Sequence, residues 1–183
     1  MVSWDSDALR IPGTAYAQTL GASQNDSTKM TAKQQLESIL TNQYKSEDGD
    51  LHKVELLGGM TDEEIETFKD QLPSKKLPAE IEDLLRFSKG FEFHGLDQVR
   101  FDAFGQFGFE EMFPNSIQLA GDGFGNFWIL DIDSKGSWNS VYYVCHDPAV
   151  VVKHSENLKQ FINHVDEFGK KGAESSSTLF TKR

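Results

Sequence analysis

The chain has 183 residues, 38% hydrophobic and 26% charged, with a formal net charge of −11. That length suits one domain around a single core, and the acidity argues against general nucleic-acid binding, which needs clustered Lys and Arg. Cys145 is the only cysteine, which excludes an internal disulfide and any multi-cysteine zinc site.

No apolar run approaches the roughly 20 residues that span a bilayer. The opening MVSWDSDALRIP has neither the basic nor the apolar region of a secretory signal, so a cytoplasmic protein is expected. The charge is unevenly spread, with 16 acidic and 6 basic side chains between residues 61 and 134. An acidic middle of this kind is suited to steering a basic partner, although solvated acidic surface is also the common state of such residues.

Residues 1–28, rich in Ser, Thr, Ala and Gly, read as an extended lead-in from which Trp4, Leu9 and Ile11 could dock. Thr31-Ala-Lys-Gln34 has the form of a capping box, followed by Leu36, Ile39 and Leu40 on one face, and predicts a helix near 32–44. The charged turn KSEDGD follows. A second box, Thr61-Asp-Glu-Glu64, opens a helix whose stripe is Ile65, Phe68 and Leu72. Pro78 is suited to the first position of a third helix carrying Ile81, Leu84 and Leu85, with Gly90 as its stop.

Beyond Gly90 the segments FEFHG, VRFDAF, IQLAGD, NFWILDI and NSVYYVCH read as short strands between Gly, Asn, Asp and Pro. Both faces of FWILDI are largely apolar, as in a central, covered strand. Ser155 is the expected cap of a last helix bearing Leu158, Phe161, Ile162 and Val165, with Gly169 as its stop. The expected organisation is an N-terminal extension with one amphipathic helix over 1–50, an α+β domain over 51–169 and a polar tail over 170–183. Helices, then strands, then a helix is not a βαβ series.

No stretch carries a chemical motif. GDGFGNFWILDID lacks the Lys-Ser/Thr of a phosphate loop, and a strand follows its glycines where a dinucleotide site needs a helix. A turn is the better reading, with Gly supplying positive φ and Asp122 and Asn126 bonding nearby backbone. Asp131-Ile-Asp133-Ser-Lys135 mimics a calcium loop, but Lys135 stands where an oxygen ligand belongs and Tyr142 where the closing Glu belongs. SKGSWN reads instead as a hairpin turn with Trp138 near its tip. The five histidines show no metal spacing. Cys145-His146-Asp147 are neighbours on a strand and point to opposite faces, and Cys145 reads as a buried small hydrophobe. No catalytic residue, cofactor or metal is expected, and a hydrolase or nucleotide-binding enzyme is the least supported class.

Eight of the fourteen phenylalanines fall in RFSKGFEFHG and FDAFGQFGFEEMFP. Most belong in a core. A few could line a groove rimmed by Glu92, Asp97, Asp102, Glu110 and Glu111, because aromatic anchors inside a charged rim suit protein recognition. Asp133 extends that acidic set, and Phe109 and Trp138 are the candidate aromatic anchors.

LPAEIEDLLRFSKGFEF, FPNSIQLAGDGFGNFWILDI and SENLKQFINHV together resemble the SUKH superfamily, and within it the Smi/Knr-type branch. Leu77-Pro78 matches the lead of the family's helix, Lys89-Gly90 its Asn-Gly-like turn, Asp122, Gly123, Gly125 and Asn126 its loop, and Leu130-Asp131 its strand end. The similarity spans about residues 61–166. It implies an α+β fold with a mixed, mainly antiparallel sheet and helices around it. It also implies a non-enzymatic binding role. Many bacterial members are immunity proteins that neutralise a cognate toxin, often a nuclease. Relatives also regulate cell-wall assembly or associate with the translocon, so a regulatory scaffold is the alternative. The expected partner is a cognate protein toxin with a basic surface, bound by a chain that is monomeric when free.

Overall fold

A computed structural model describes residues 30–46, 48–105 and 111–171. The readings of the lead-in, of the polar tail beyond Lys171, and of Phe109 and Glu110 lie outside these residues. The elements in chain order are α1 (Ala32–Ile39), β1 (Tyr44–Lys45), β2 (Leu51–His52), β3 (Glu55–Leu56), α2 (Asp62–Gln71), α3 (Ala79–Phe87), β4 (Gly90–Glu92), β5 (Val99–Arg100), β6 (Ser116–Gly121), β7 (Phe127–Ile132), β8 (Trp138–His146), β9 (Ala149–Ser155) and α4 (Leu158–Lys171). This is an α+β fold in which every described strand pairing is antiparallel.

Both capping boxes form. The Thr31 hydroxyl accepts from the Gln34 N–H while Gln34 bonds back to the Thr31 N–H, and Thr61 and Glu64 do the same. The first helix is shorter than its pattern predicts. It ends at Ile39 because Tyr44 and Lys45 leave it to pair with His52 and Leu51. Pro78 is the N-cap of α3 and not its first helical residue.

The sheets run in the orders β1-β2, β3-β4-β5 and β6-β7-β8-β9. A bridge between Phe104 and Ile117, with the Gln118 N–H on the Ala103 carbonyl at 3.1 Å, joins the second sheet to the third. β7 is central between β6 and β8, as its two-faced apolarity implies. Register shifts at Gln118/Ala120 and Leu130/Ile132 mark bulges on its two sides. Strands β1, β2, β3 and β9 are absent from the sequence reading, three of them being only two residues long.

One core joins the helices to the sheet. Leu36 and Ile39 of α1, Ile65 and Phe68 of α2, and Leu84 and Leu85 of α3 pack with Phe91, Leu130, Val141, Phe161 and Ile162. The α1 helix lies against α4 and α3. Asp166, a buried carboxylate on α4, accepts from Asn42 Nδ2 at 2.8 Å and Tyr44 Oη at 2.9 Å, and Lys170 pairs with its other oxygen. These bonds tie the segment after α1 to the last helix.

The last helix corrects two readings. Its cap is Asn157, whose Oδ1 accepts the Gln160 N–H at 2.9 Å, because Ser155 still belongs to β9. Gly169 does not stop it, and the helix runs on to Lys171. The missing side chain is required by packing. A Cβ there would run into the rings of Tyr44 and Phe93, which meet edge-on at 4.9 Å.

Candidate functional site

The GDGFGN turn between β6 and β7 is built around one carboxylate. Asp122 Oδ1 accepts the N–H groups of Phe124 at 2.8 Å and Asn126 at 3.1 Å. Its Oδ2 accepts Asn126 Nδ2 at 2.7 Å and the Tyr143 hydroxyl at 2.9 Å. Burial alone would raise the Asp122 carboxyl, but these bonds outweigh it and hold the group below its ordinary range. Burial, followed by the Asp122 carboxylate, pushes the Tyr143 phenol well up. Asn126 Oδ1 in turn accepts the His146 N–H at 3.2 Å, which fastens the turn to the end of β8.

Gly123 and Gly125 hold φ of 76° and 90°, in the left-handed region. The space around Gly123 is open, so a side chain there would meet conformational strain and no clash. Gly123→Val is expected to destabilise the protein by about 1–3 kcal/mol, because a β-branched residue fits poorly at positive φ. Chemical denaturation of the two proteins measures it.

The turn thrusts Phe124 into solvent, 82% exposed, and the sequence reading did not single it out. The available signal was an aromatic residue between two glycines. Beside the turn lies the β4–β5 connection, whose Asp97 N–H donates to the Gly121 carbonyl at 3.0 Å. Glu92, exposed on β4, accepts from Gln98 Nε2 at 3.1 Å in that same connection. Glu92, Asp97 and the glycine turn therefore share one end of the molecule.

Between the turn and α4 is a cavity of about 130 Å³. Leu96, Phe124, Phe168 and Val165 line it with Trp128, Phe161, His154 and His164, and Asp122 is the one carboxylate residue among them. Trp128 and Phe161 have ring centroids 6.3 Å apart, and the His154 ring stands 6.0 Å and 5.8 Å from them. Burial, reinforced by the neighbouring His164, lowers the His154 pKa to about 4. Ser155, buried, places its hydroxyl 2.8 Å from His154 Nδ1 and 3.1 Å from His164 Nδ1.

The other candidate residues are elsewhere. Asp102 is held by Arg100 through two bonds, at 2.8 Å and 2.7 Å, so its charge is matched within the fold. Glu111 is exposed and precedes Phe113, which rests 5.0 Å from Tyr142 on β8. Asp133 closes the β7–β8 turn, accepting the Lys135 and Ser137 N–H groups at 2.8 Å and 2.9 Å. Those bonds, Ser137's first, hold its carboxyl below the usual range. Trp138 begins β8 just after that turn, is half-buried, and packs edge-on against Phe68 at 6.4 Å.

The six residues of β7 separate this end from the glycine turn, a span of roughly 20 Å at the usual strand rise. The cleft beside Trp138, about 660 Å³, is rimmed by Lys76, Lys135 and Lys159 against Glu80. Its charge is opposite in sign to that of the Glu92–Asp97 end. Cys145, read as a buried hydrophobe, is only partly buried near the end of β8. Among the described residues no group of three or more His, Cys, Asp or Glu could hold a metal ion, and no helix is long and apolar enough to cross a membrane.

The sequence model of the SMI1/KNR4 family (SUKH-1) matches residues 59–164, more than half of the chain. Neither a curated protein nor a solved structure gives a significant match.

Proposed function

The chain belongs to the SMI1/KNR4 family (SUKH-1), and from that premise we propose that it is an immunity-type binding protein. It neutralises a cognate toxin with a basic surface, such as a nuclease, by direct contact and without chemistry of its own. The observation that carries this reading is Phe124, 82% exposed on a turn that Asp122 braces, beside the exposed carboxylates of Glu92 and Asp97. An aromatic side chain on a stiff support loses little entropy on binding, and an acidic rim brings a basic partner to it. The exposed Glu111 is taken into the partner's footprint in this reading. The same footprint reaches Asp133 and Trp138, about a strand's length away beside the lysine-rimmed cleft.

The test is capture of the product of the neighbouring gene, together with protection of cells that express it. Failure of both would leave the regulatory-scaffold reading. With the partner in hand, Glu92→Lys combined with Asp97→Lys should lower the association rate on the order of tenfold at low salt. Both side chains are exposed, so the cost to folding should stay below about 0.5 kcal/mol each. Phe124→Ala should act on the dissociation rate instead, by about 2 kcal/mol. An association rate insensitive to salt and to the charge reversals would remove the acidic rim from the picture.

A further inference from the structure

The cavity under the glycine turn has a lining of unusual sign. Phe124, Trp128, Phe161 and Phe168 contribute four aromatic rings, and neither Lys nor Arg is among the lining residues. The one formal charge is the Asp122 carboxylate, and Asp97 reinforces it from across the turn, where its Oδ2 lies against Gly121. All four bonds drawn to Asp122 come from the protein itself, so toward a guest it contributes charge and not a fresh acceptor.

The two imidazoles supply the acceptor. Ser155 has a single hydroxyl hydrogen, and it sits between His154 Nδ1 and His164 Nδ1. The hydroxyl donates to one ring and accepts from the other. With both rings neutral, the ring that donates carries its hydrogen on Nδ1 and leaves its Nε2 bare. One of the two lining imidazoles therefore carries an acceptor nitrogen whichever way the hydroxyl turns.

We propose that this cavity is a cation-accepting aromatic site that takes one arginine side chain from the partner protein. The aliphatic stem lies against Leu96 and Val165. The guanidinium meets the aromatic rings, the bare imidazole nitrogen and the field of Asp122. A guanidinium suits the cavity better than a lysine ammonium, because it is more weakly hydrated and stacks on rings as a plane. The cavity, about 130 Å³, has room for one such side chain. Charge complementarity selects the occupant, since a wholly apolar guest would gain nothing from Asp122. That the arginine comes from a protein partner rests on the binding role proposed above, whereas the preference of the cavity for a guanidinium does not.

The experiment uses the full chain and two probes of nearly equal shape, n-butylguanidinium and its neutral counterpart n-butylurea. Titration is followed through the NMR resonances of the Trp128 indole and the His154 and His164 rings. The expected result is that n-butylguanidinium shifts these resonances and binds roughly tenfold more tightly than n-butylurea. Phe124→Ala, a change at an exposed position that leaves folding intact, should weaken the guanidinium at least about threefold. Equal affinity for the two probes would overturn the proposal and make the cavity merely apolar, and so would the absence of any shift at the cavity. Because no toxin enters the titration, its outcome is separate from that of the partner-capture test.

Discussion

Leu36→Ala is expected to destabilise the whole protein by about 2–5 kcal/mol, the range for deleting a fully buried aliphatic side chain. Leu36 has no exposed surface, although its helix lies outside residues 59–164, the span matched by the family. On α1 it joins a core shared with α3 and α4, and Asn42 and Tyr44 then bind the buried Asp166 carboxylate of α4. Urea unfolding followed by tryptophan fluorescence and by far-ultraviolet circular dichroism should give coincident curves, both shifted in the variant. Trp128 and Trp138 report on the sheet, so a shift in their signal means that α1 belongs to the same cooperative unit. A variant whose fluorescence transition is unmoved would mean that α1 melts separately.

The second large effect is of pH. The His154 imidazole has a folded pKa of about 4, against an ordinary value of 6.5. Below about pH 6.5 the unfolded chain takes up a proton that the folded ring refuses, so the unfolded state gains and stability falls. The loss is nil above that pH and complete near pH 4. A gap of that size corresponds to about 3 kcal/mol. Ser155 and, from α4, His164 face the ring, and Asp122 on the glycine turn shares its cavity. The Asp122 carboxyl is held below its ordinary range, so its own loss begins beneath this window. Unfolding free energies of the protein and of His154→Gln, measured from pH 7.5 to 4.5, should diverge in slope. Parallel profiles would show that His154 is not the group responsible.

The two capping boxes were legible because each is a contact within four residues, set by local chemistry before any tertiary contact exists. The glycine turn was legible for the same reason, since Asp122 and Asn126 bond backbone within it. Strands such as β2 and β3 were not. Two residues have no period, and pairing with β1 and with β4 is what makes them strands. The expected site residues illustrate the same division. Their acidity is plain in the chain, but only the structure places the Arg100 guanidinium on Asp102, spends Asp133 on its own turn, and sets Trp138 about a strand's length from Asp97.

The sequence by itself determined the four described helices and the starts of the two with capping boxes, the antiparallel α+β class, the family and the acidity, because these depend on neighbours along the chain or on composition. Tertiary structure alone decided the rest. It carried α4 through Gly169, where two rings need the space of a side chain, and it left Phe124 outside. It also assembled the cavity from residues 95 to 168, drawn from four loops or strands and one helix. No local pattern encodes such a site, because its members become neighbours only when the sheet and the last helix pack together.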